Sequence, residues 1–194
     1  MSAAANSATE SAPARNWAHY TDPEWIDVDG LATAYRREGS GEPLLFLNGE
    51  RGTRSWLPVC EELAKSFDVI LPEHPGFGDT EMPEWLSGFD DLVLHYDALL
   101  RALGLEKVHL VGHSVGAWIA ADLGVFYPER FASLSLVTPT GVRLPDEVRV
   151  ADVFRLGEDA PDVLFNGRGE EFAEFFEQEG GIDDKVQAYS ELVT

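Results

Sequence analysis

One pentapeptide, Gly-His-Ser-Val-Gly at residues 112–116, constrains the fold of this chain more than any other feature. The apolar run Lys107 to Val111 precedes it and predicts a short buried strand. After it, Ala117 to Tyr127 carries apolar residues at helical spacing until Pro128. The sequence therefore predicts a tight strand-to-helix turn with Ser114 at its apex. The glycines two residues to either side avoid side-chain clashes there.

Such a turn suits a serine nucleophile. It lifts the Ser114 hydroxyl above the edge of the sheet, and the helix that follows points unpaired N–H groups and its positive dipole end at the same place. These groups stabilise a carbonyl oxygen that becomes negative. A Gly-punctuated turn that merely opens a helix is the alternative reading of the bare motif. No histidine follows the motif in residues 117–194, so the usual base is missing from the remainder of the chain.

The composition predicts one soluble globular domain. The chain has 194 residues, of which 44% are hydrophobic and 11% aromatic. No apolar run approaches the roughly 20 residues of a membrane span. Residues 1–20 are predicted to form a disordered leader, because their Ala- and Ser-rich start lacks the basic cluster and apolar core of a signal peptide.

The charge balance is strongly acidic, with 35 acidic residues against 14 basic ones and a formal net charge of −21. Nucleic-acid binding is disfavoured, since phosphate contacts need clustered Lys and Arg. A well-solvated surface is the simple explanation, and adaptation to salt is the alternative. Cys60 is the single cysteine, which excludes an intrachain disulfide and predicts a reducing, cytoplasmic location.

Apolar runs alternate with helical patterns over residues 21–143, which predicts an α/β domain with a mostly parallel sheet and helices on both faces. The first two strands form a hairpin with an Asp-Gly turn, and Ser55 is predicted to cap a helix that runs to about Lys65. Gly104 is predicted to end a second helix, Asp90 to Leu103. The predicted strands are Glu24 to Val28, Leu31 to Arg36, Pro43 to Leu47, Phe67 to Leu71, Lys107 to Val111 and, also as a buried strand, Ala132 to Val137.

The loops that carry polar residues follow the ends of these strands. In a parallel sheet, ligands bind beyond the carboxyl ends of the strands. We therefore expect the regions around Asn48, His74, Ser114 and Thr138 to meet at one edge. Residues 144–194 are acidic with scattered aromatics and predict an incomplete helical cap over that edge. An acidic, partly disordered tail is the alternative.

With these motifs in view, the chain resembles the α/β-hydrolase fold family from about Trp25 to its end. The landmarks that carry the resemblance occur in order: Pro43 to Gly49, His74 to Gly78, the pentapeptide, and Tyr127 to Phe131. The resemblance implies a serine hydrolase with the α/β-hydrolase fold, truncated before the last two strands.

The resemblance also implies the residues of the site. Ser114 is the expected nucleophile, and the backbone N–H groups of Val115 and Glu50 are the expected oxyanion hole. Asn48 stands where a His-Gly pair is usual. A Glu50 carboxylate beside an oxyanion would oppose the developing charge unless its side chain points away.

The other two members of the expected triad have no clear counterpart. In the family the acid and then the histidine follow the nucleophile, after the seventh and eighth strands, and neither strand is found here. His74 and His113 are predicted to contact substrate, and His74 is the first alternative base. His95 and His109 are predicted to be structural and His19 to lie in the leader. Asp146 is a conceivable acid or an ordinary surface residue.

The sequence therefore favours a serine-nucleophile hydrolase acting on a small or medium ester-like or carbon–carbon substrate, with little or no turnover from these 194 residues. The alternatives are a non-catalytic ligand-binding homologue and a non-functional fragment. No cofactor, metal site, nucleic-acid partner or membrane partner is expected, and the oligomeric state is left open.

Overall fold

The computed structural model describes residues 21–49, 54–142, 145 and 159–172. Its centre is a six-stranded sheet with the order β1-β2-β4-β3-β5-β6. The strands β3, β4, β5 and β6 pair in parallel, whereas β1 and β2 are antiparallel to each other and β2 is antiparallel to β4. The strands are β1 (Glu24–Val28), β2 (Leu31–Gly39), β3 (Glu42–Leu47), β4 (Phe67–Pro72), β5 (Val108–His113) and β6 (Phe131–Val137). The mostly parallel α/β sheet expected from the sequence is confirmed.

The β1–β2 hairpin forms around the predicted Asp-Gly turn. Val28 pairs with Leu31, so Asp29 and Gly30 are the two central residues of the turn. Both have positive φ, 51° and 92°. This is the backbone of a type I′ turn, whose twist matches that of the flanking strands.

Helix α2 (Phe89–Ala102) packs on the sheet beside α3 (Val115–Phe126). The helix ends at Ala102, just before Gly104, as the sequence predicted. The Gly104 N–H donates to the Arg101 carbonyl, and the Leu105 N–H donates to the Leu100 carbonyl. With Gly104 at φ 69°, these two bonds form a Schellman motif.

The start of α1 (Pro58–Leu63) corrects one prediction. Ser55 does not cap this helix: the residue before its first turn is Leu57, which makes no side-chain cap hydrogen bond. Pro58 occupies the first helical position, where its missing N–H costs nothing and its fixed φ suits the helix. The proline therefore sets the start of α1.

Two apolar clusters of buried residues form the core. The larger includes residues of α2 and α3, such as Tyr96, Leu99 and Ile119, and the smaller includes Trp56 and Cys60. Burial raises the pKa of the Cys60 thiol to about 12, so the thiol stays protonated and is a poor nucleophile.

Strand β6 lies at the edge of the sheet and corrects the prediction of a buried strand. Six of its seven residues are exposed, and only Phe131 is partly buried. Its partner is β5, in parallel, and no further strand of the described residues lies on its outer side. An apolar strand pattern predicts a strand but does not predict what covers it.

Beyond Val142, the described residues form a short helix α4 (Ala160–Leu164) and a 3₁₀ turn at Gly169–Phe172. The rest of the predicted cap and the predicted leader fall outside the described residues. None of the helices in the described part of the chain combines the length and apolar character needed to cross a bilayer.

His95, on α2, predicts a measurable pH dependence of stability. It is 4% exposed and stacks on Trp85, with ring centroids 6.1 Å apart. Burial, with a smaller contribution from His74, lowers its pKa to about 4. At pH values between about 6.5, the ordinary pKa of histidine, and about 4, the His95 imidazole binds a proton in the unfolded chain but not in the folded chain. We therefore expect His95 to reduce stability as pH falls through this window, by up to about 1.4 kcal/mol per pH unit.

Urea unfolding of the wild type and of His95→Gln at several pH values between 7.5 and 4.5 measures this effect. The difference in unfolding free energy between the two proteins is expected to change with pH, in favour of the variant at low pH. His113→Gln is the control, because His113 is exposed and its replacement leaves His95 in place. Parallel curves for the wild type and His95→Gln would contradict the prediction.

Candidate active site

Ser114 occupies the predicted strand-to-helix turn with a strained backbone. It lies between β5 and α3, with φ 53° and ψ −117°. A non-glycine residue in such a conformation costs about 1–3 kcal/mol and persists where the surrounding structure enforces it. Ser114 is partly buried.

The two glycines of the pentapeptide make the turn possible through close packing. A Cβ atom on Gly112 would lie 2.5 Å from the Ala117 Cα and from the Gly116 carbonyl oxygen. A Cβ atom on Gly116 would overlap the carbonyl oxygens of Leu47 and Asn48. The two glycines therefore let α3 pack closely against β5 and against the end of β3. This packing fixes Ser114 beside the loop after β3.

Backbone hydrogen bonds also hold Ser114 to the loop after β6. The Ser114 N–H donates to the Val137 carbonyl at 3.0 Å, and the Thr140 N–H donates to the Ser114 carbonyl at 3.3 Å. Thr138, between these two positions, has a φ of 42°. On the opposite side, a Cβ atom on Gly49 would lie 3.0 Å from the Ser114 Cβ. The structure thus brings together three of the loops expected to converge.

Of the two residues expected to donate N–H groups to an oxyanion, Val115 lies within the described residues and Glu50 does not. Val115 is buried at the first position of α3, where a helix N–H has no partner within the helix. Glu50 lies outside the described residues, so its role and the direction of its side chain stay predictions. The preceding Asn48 is buried next to the Gly116 backbone, which places the loop after β3 at the first turn of α3.

His74 reaches this site through Asn48. Its ring is 1% exposed, with Nε2 2.7 Å from the Asn48 carbonyl oxygen and Nδ1 hydrogen-bonded to the Tyr96 hydroxyl. Phe77 packs edge-on against the ring. These contacts make His74 a support of the loop after β3. Its predicted contact with substrate, and its role as an alternative base, gain no support from this placement.

The other described histidines differ in position. His113 is exposed, and its Nδ1 would lie 3.2 Å from a Cβ atom on Gly49, which places it beside the loop after β3. His109 contacts Ser133 and Glu42, and His95 lies in the α2 packing described above. His19 and Asp146 lie outside the described residues.

A buried ion pair below the site was not foreseen from the sequence. The Arg36 guanidinium donates to the Glu73 carboxylate at 2.9 Å, with the two side chains 2% and 0% exposed. The other Glu73 oxygen accepts the backbone N–H groups of Asp79 and Thr80. This pair fixes the loop after β4 that carries His74. The sequence offered only a weak signal, an arginine pair at the end of a strand with an apolar start, in which Arg36 is buried and Arg37 is not.

The comparison with protein families agrees with this geometry. The family model that matches residues 42–180 is described as the alpha/beta hydrolase fold. The chain belongs to the α/β-hydrolase fold family. The strand-to-helix turn that carries Ser114, which we call the elbow, lies where the family resemblance placed it, at the junction of β5 and α3.

Two curated relatives give the family context. The chain is 37% identical over 125 residues to 2-hydroxymuconate semialdehyde hydrolase of a Pseudomonas species, a match covering 62% of this chain and 44% of that protein. It is 33% identical over 120 residues to the dihydrolipoyllysine-residue acetyltransferase component of the acetoin cleaving system of Cupriavidus necator, covering 61% of this chain and 32% of that protein. This α/β hydrolase thus spans less than half the length of either relative.

A solved structure supports the fold. A meta-cleavage product hydrolase of Pseudomonas fluorescens, complexed with acetates, superposes with a TM-score of 0.67 at 24% sequence identity. The match covers 87% of this chain and 68% of the other. The predicted α/β-hydrolase fold is confirmed.

Proposed function

We propose that this α/β hydrolase is a serine-nucleophile hydrolase, with Ser114 as nucleophile and water as the final acceptor. The observation that carries the proposal is the strained Ser114 backbone, with φ 53°, at the start of α3. The Gly112 and Gly116 contacts and the Val137 and Thr140 hydrogen bonds enforce that conformation. A turn held from three sides is suited to presenting a hydroxyl to a bound carbonyl group.

The chemistry follows from this position. The Ser114 Oγ attacks a carbonyl carbon while the hydroxyl proton passes to a base. The bond between that carbon and the leaving group then breaks, the leaving group takes the proton from the base, and the acyl-enzyme remains. The carbonyl oxygen becomes negative and faces the first turn of α3, where the Val115 N–H and the helix dipole stabilise it. Water then releases the acyl group and restores the hydroxyl.

The proposed substrate is a small or medium molecule with an ester-like or ketone carbonyl. Two relatives are named hydrolases of 2-hydroxymuconate semialdehyde and of 2-hydroxy-6-oxo-2,4-heptadienoate. Others are named a putative carbamate hydrolase and a soluble epoxide hydrolase. The first two named substrates carry a carbonyl group, which a serine nucleophile attacks. We extend that feature to this chain as part of the proposal.

Labelling with a fluorophosphonate probe tests the nucleophile. We expect covalent modification of the 194-residue chain at Ser114, identified by mass spectrometry, and its loss in Ser114→Ala. Ser135→Ala is the matched control, because Ser135 is an exposed serine of β6 and its replacement leaves the turn intact. Modification spread over several serines, or unchanged in Ser114→Ala, would contradict the proposal.

The pH dependence of the same labelling tests for a base. If the 194-residue chain lacks one, labelling of Ser114 is slow and rises with pH without a plateau near neutrality. Hydrolysis of short p-nitrophenyl esters then stays at the level of Ser114→Ala, because losing a triad member typically costs about 10⁴-fold in rate or more. A plateau near pH 7 would reveal an imidazole base, with His74 the first residue to replace.

A non-catalytic ligand-binding protein is the second candidate. The observation that favours it is the engagement of both His74 nitrogens by Asn48 and Tyr96. A ligand carbonyl would then sit against the first turn of α3 without being attacked. Binding of 2-hydroxymuconate semialdehyde without turnover, and with equal affinity for Ser114→Ala, would support this candidate over the enzyme.

A further inference from the structure

Three polar side chains on adjacent strands form a hydrogen-bonded series on the face of the sheet that points away from α3. The Ser133 Oγ lies 2.7 Å from the His109 Nδ1, and the Glu42 Oε2 lies 3.1 Å from the His109 Nε2. The three residues belong to β6, β5 and β3, which are neighbours in the sheet. We call them the Ser133–His109–Glu42 series. A hydroxyl, an imidazole and a carboxylate joined in this order can serve as a nucleophile, its base and the group that orients the base.

An irregularity in the pairing of β5 with β6 produces the contact between the hydroxyl and the imidazole. Val108 pairs with Phe131, but the next residue, His109, pairs with Ser133, so Ala132 is skipped. In regular pairing His109 would lie opposite Ala132, and Ser133 would point to the other face of the sheet. Bulges of this kind re-aim side chains and are frequent beside active sites. The register therefore places a nucleophile directly opposite an imidazole.

The neighbouring residues show which face the series occupies. Leu134 faces α3, because a Cβ atom on Gly124 would lie 2.9 Å from one of its methyl groups. Side chains alternate along a strand, so Ser133 points to the opposite face. On that face Phe67 packs edge-on against the His109 ring, with the ring centroids 5.3 Å apart. The imidazole is therefore held by an aromatic contact as well as by its two hydrogen bonds.

The hydrogen-bond partners also set the tautomer of His109. A carboxylate only accepts hydrogen bonds, so Glu42 favours the proton on Nε2. Nδ1 then carries the lone pair and accepts the Ser133 hydroxyl. This is the state that a general base needs, with the two ring nitrogens exchanged relative to the usual serine–histidine–acid arrangement. The His109 side chain is 22% exposed and Ser133 is exposed, so a small molecule in solution reaches both.

We propose that the Ser133–His109–Glu42 series is a second nucleophilic site, which takes acyl groups from small esters with a good leaving group. His109 precedes Ser114 by five residues, about 16 Å along an extended chain, and the proposal does not rest on the function proposed for Ser114. The Ser133 Oγ attacks the ester carbonyl carbon, and its proton passes to the His109 Nδ1. The bond to the leaving group then breaks, the leaving group departs as an anion, and the imidazolium releases its proton to water.

Water completes the cycle. It attacks the acyl carbon on Ser133 and gives a proton to His109, and the imidazolium returns a proton to the departing Ser133 oxygen. The carboxylic acid is released and the hydroxyl is restored.

The surroundings of Ser133 limit the esters that react. Ser133 lies within β6 and not at the start of a helix, so solvent provides most of the stabilisation of the developing oxyanion. Esters whose leaving group departs readily, such as p-nitrophenyl acetate, are therefore the expected donors. Fluorophosphonates depend more on fixed donors that stabilise the charge on the attacked group, so they are expected to leave Ser133 unmodified.

Acetylation by p-nitrophenyl acetate in the Ser114→Ala variant provides the test. Peptide mapping by mass spectrometry is expected to find Ser133 acetylated roughly 10²-fold faster than Ser135, the increase typical of a positioned base. Ser135 is the matched control, because it is an exposed serine on the same face of β6 that pairs with a valine. His109→Gln is expected to reduce acetylation of Ser133 to the Ser135 rate. Glu42→Gln is expected to slow it only a few-fold, because Glu42 is 81% exposed.

The pH profile and the variants separate a base from a structural contact. The acetylation rate of Ser133 is expected to rise to a plateau as an imidazole loses its proton, and the plateau is expected to disappear in His109→Gln. Equal acetylation of Ser133 and Ser135 overturns the proposal, because the series is then only a set of surface hydrogen bonds. A burst of p-nitrophenolate that survives in Ser133→Ala but not in His109→Gln also overturns it, because the imidazole is then the nucleophile. Neither result bears on the function proposed for Ser114, since that serine is absent from every protein in this test.

Discussion

Replacing Gly116 with alanine is expected to destabilise the fold by about 3 kcal/mol, a large fraction of the roughly 5–15 kcal/mol that stabilises an ordinary domain. The added Cβ atom would overlap two backbone carbonyl oxygens of the β3 strand end, Leu47 and Asn48. Neither neighbour is a flexible side chain, so the overlap is relieved only if α3 moves away from β3. That movement also separates Ser114 from the loop after β3.

Thermal and urea unfolding of Gly116→Ala beside Gly88→Ala measures the effect. Gly88 precedes α2 in an extended conformation, and a Cβ atom there would meet nothing within 4 Å. Its replacement is expected to change the unfolding free energy by no more than about 1 kcal/mol, the cost of a poorer helix cap. Equal stabilities for the two variants would show that α3 and β3 are not packed as described.

The elbow could be predicted from the sequence because its signals are local. A serine flanked by glycines, with a strand pattern before it and a helix pattern after it, specifies the turn within a few residues. The Asp29-Gly30 hairpin and the Gly104 helix end are local in the same way, and both are confirmed. Residues close in sequence determine these conformations, so no knowledge of tertiary contacts was needed.

Features that depend on distant contacts were not predicted. The partners Arg36 and Glu73 are 37 residues apart, and no local pattern links them. The apolar sequence of β6 predicted a buried strand, but its exposure depends on what lies beside it in the sheet, and only the lack of a further strand pattern after Val137 pointed to an open edge. His74 was expected to face substrate because it follows a strand at the active edge, but its orientation depends on Asn48 and Tyr96. Sequence therefore predicted the position of the site better than the direction of its side chains.

The wrong prediction that Ser55 caps α1 has a different origin. The residue that sets the start of this helix, Pro58, lies close by in the sequence. Ser55 is a favoured cap residue, but Pro58 three positions later fixes the backbone of the first helical turn. A helix that began at Ser55 would place this proline inside its first turn, beyond the first helical position. The proline, with its fixed φ, therefore outweighed the serine in setting the helix start.

The second large effect is expected at the buried ion pair. Arg36→Met is expected to lower the unfolding free energy by about 3–5 kcal/mol, because it leaves the Glu73 carboxylate buried without its charge partner. The same carboxylate accepts backbone N–H groups of Asp79 and Thr80, so the strain falls on the loop after β4. That loop carries His74, and its displacement frees the Asn48 carbonyl.

The neighbouring residue supplies a matched control. Arg37 pairs with Asp68 at 2.5 Å, but the two side chains are 33% and 19% exposed. Water replaces much of that interaction, so Arg37→Met is expected to cost no more than about 1 kcal/mol. Urea unfolding of both variants gives the difference, and hydrogen exchange of Asp79 and Thr80 reports on the loop. Similar losses for the two variants would mean that Arg36 and Glu73 are solvated. In that case the burial of Glu73 would not fix the loop that supports Asn48 and, through it, the position of Ser114.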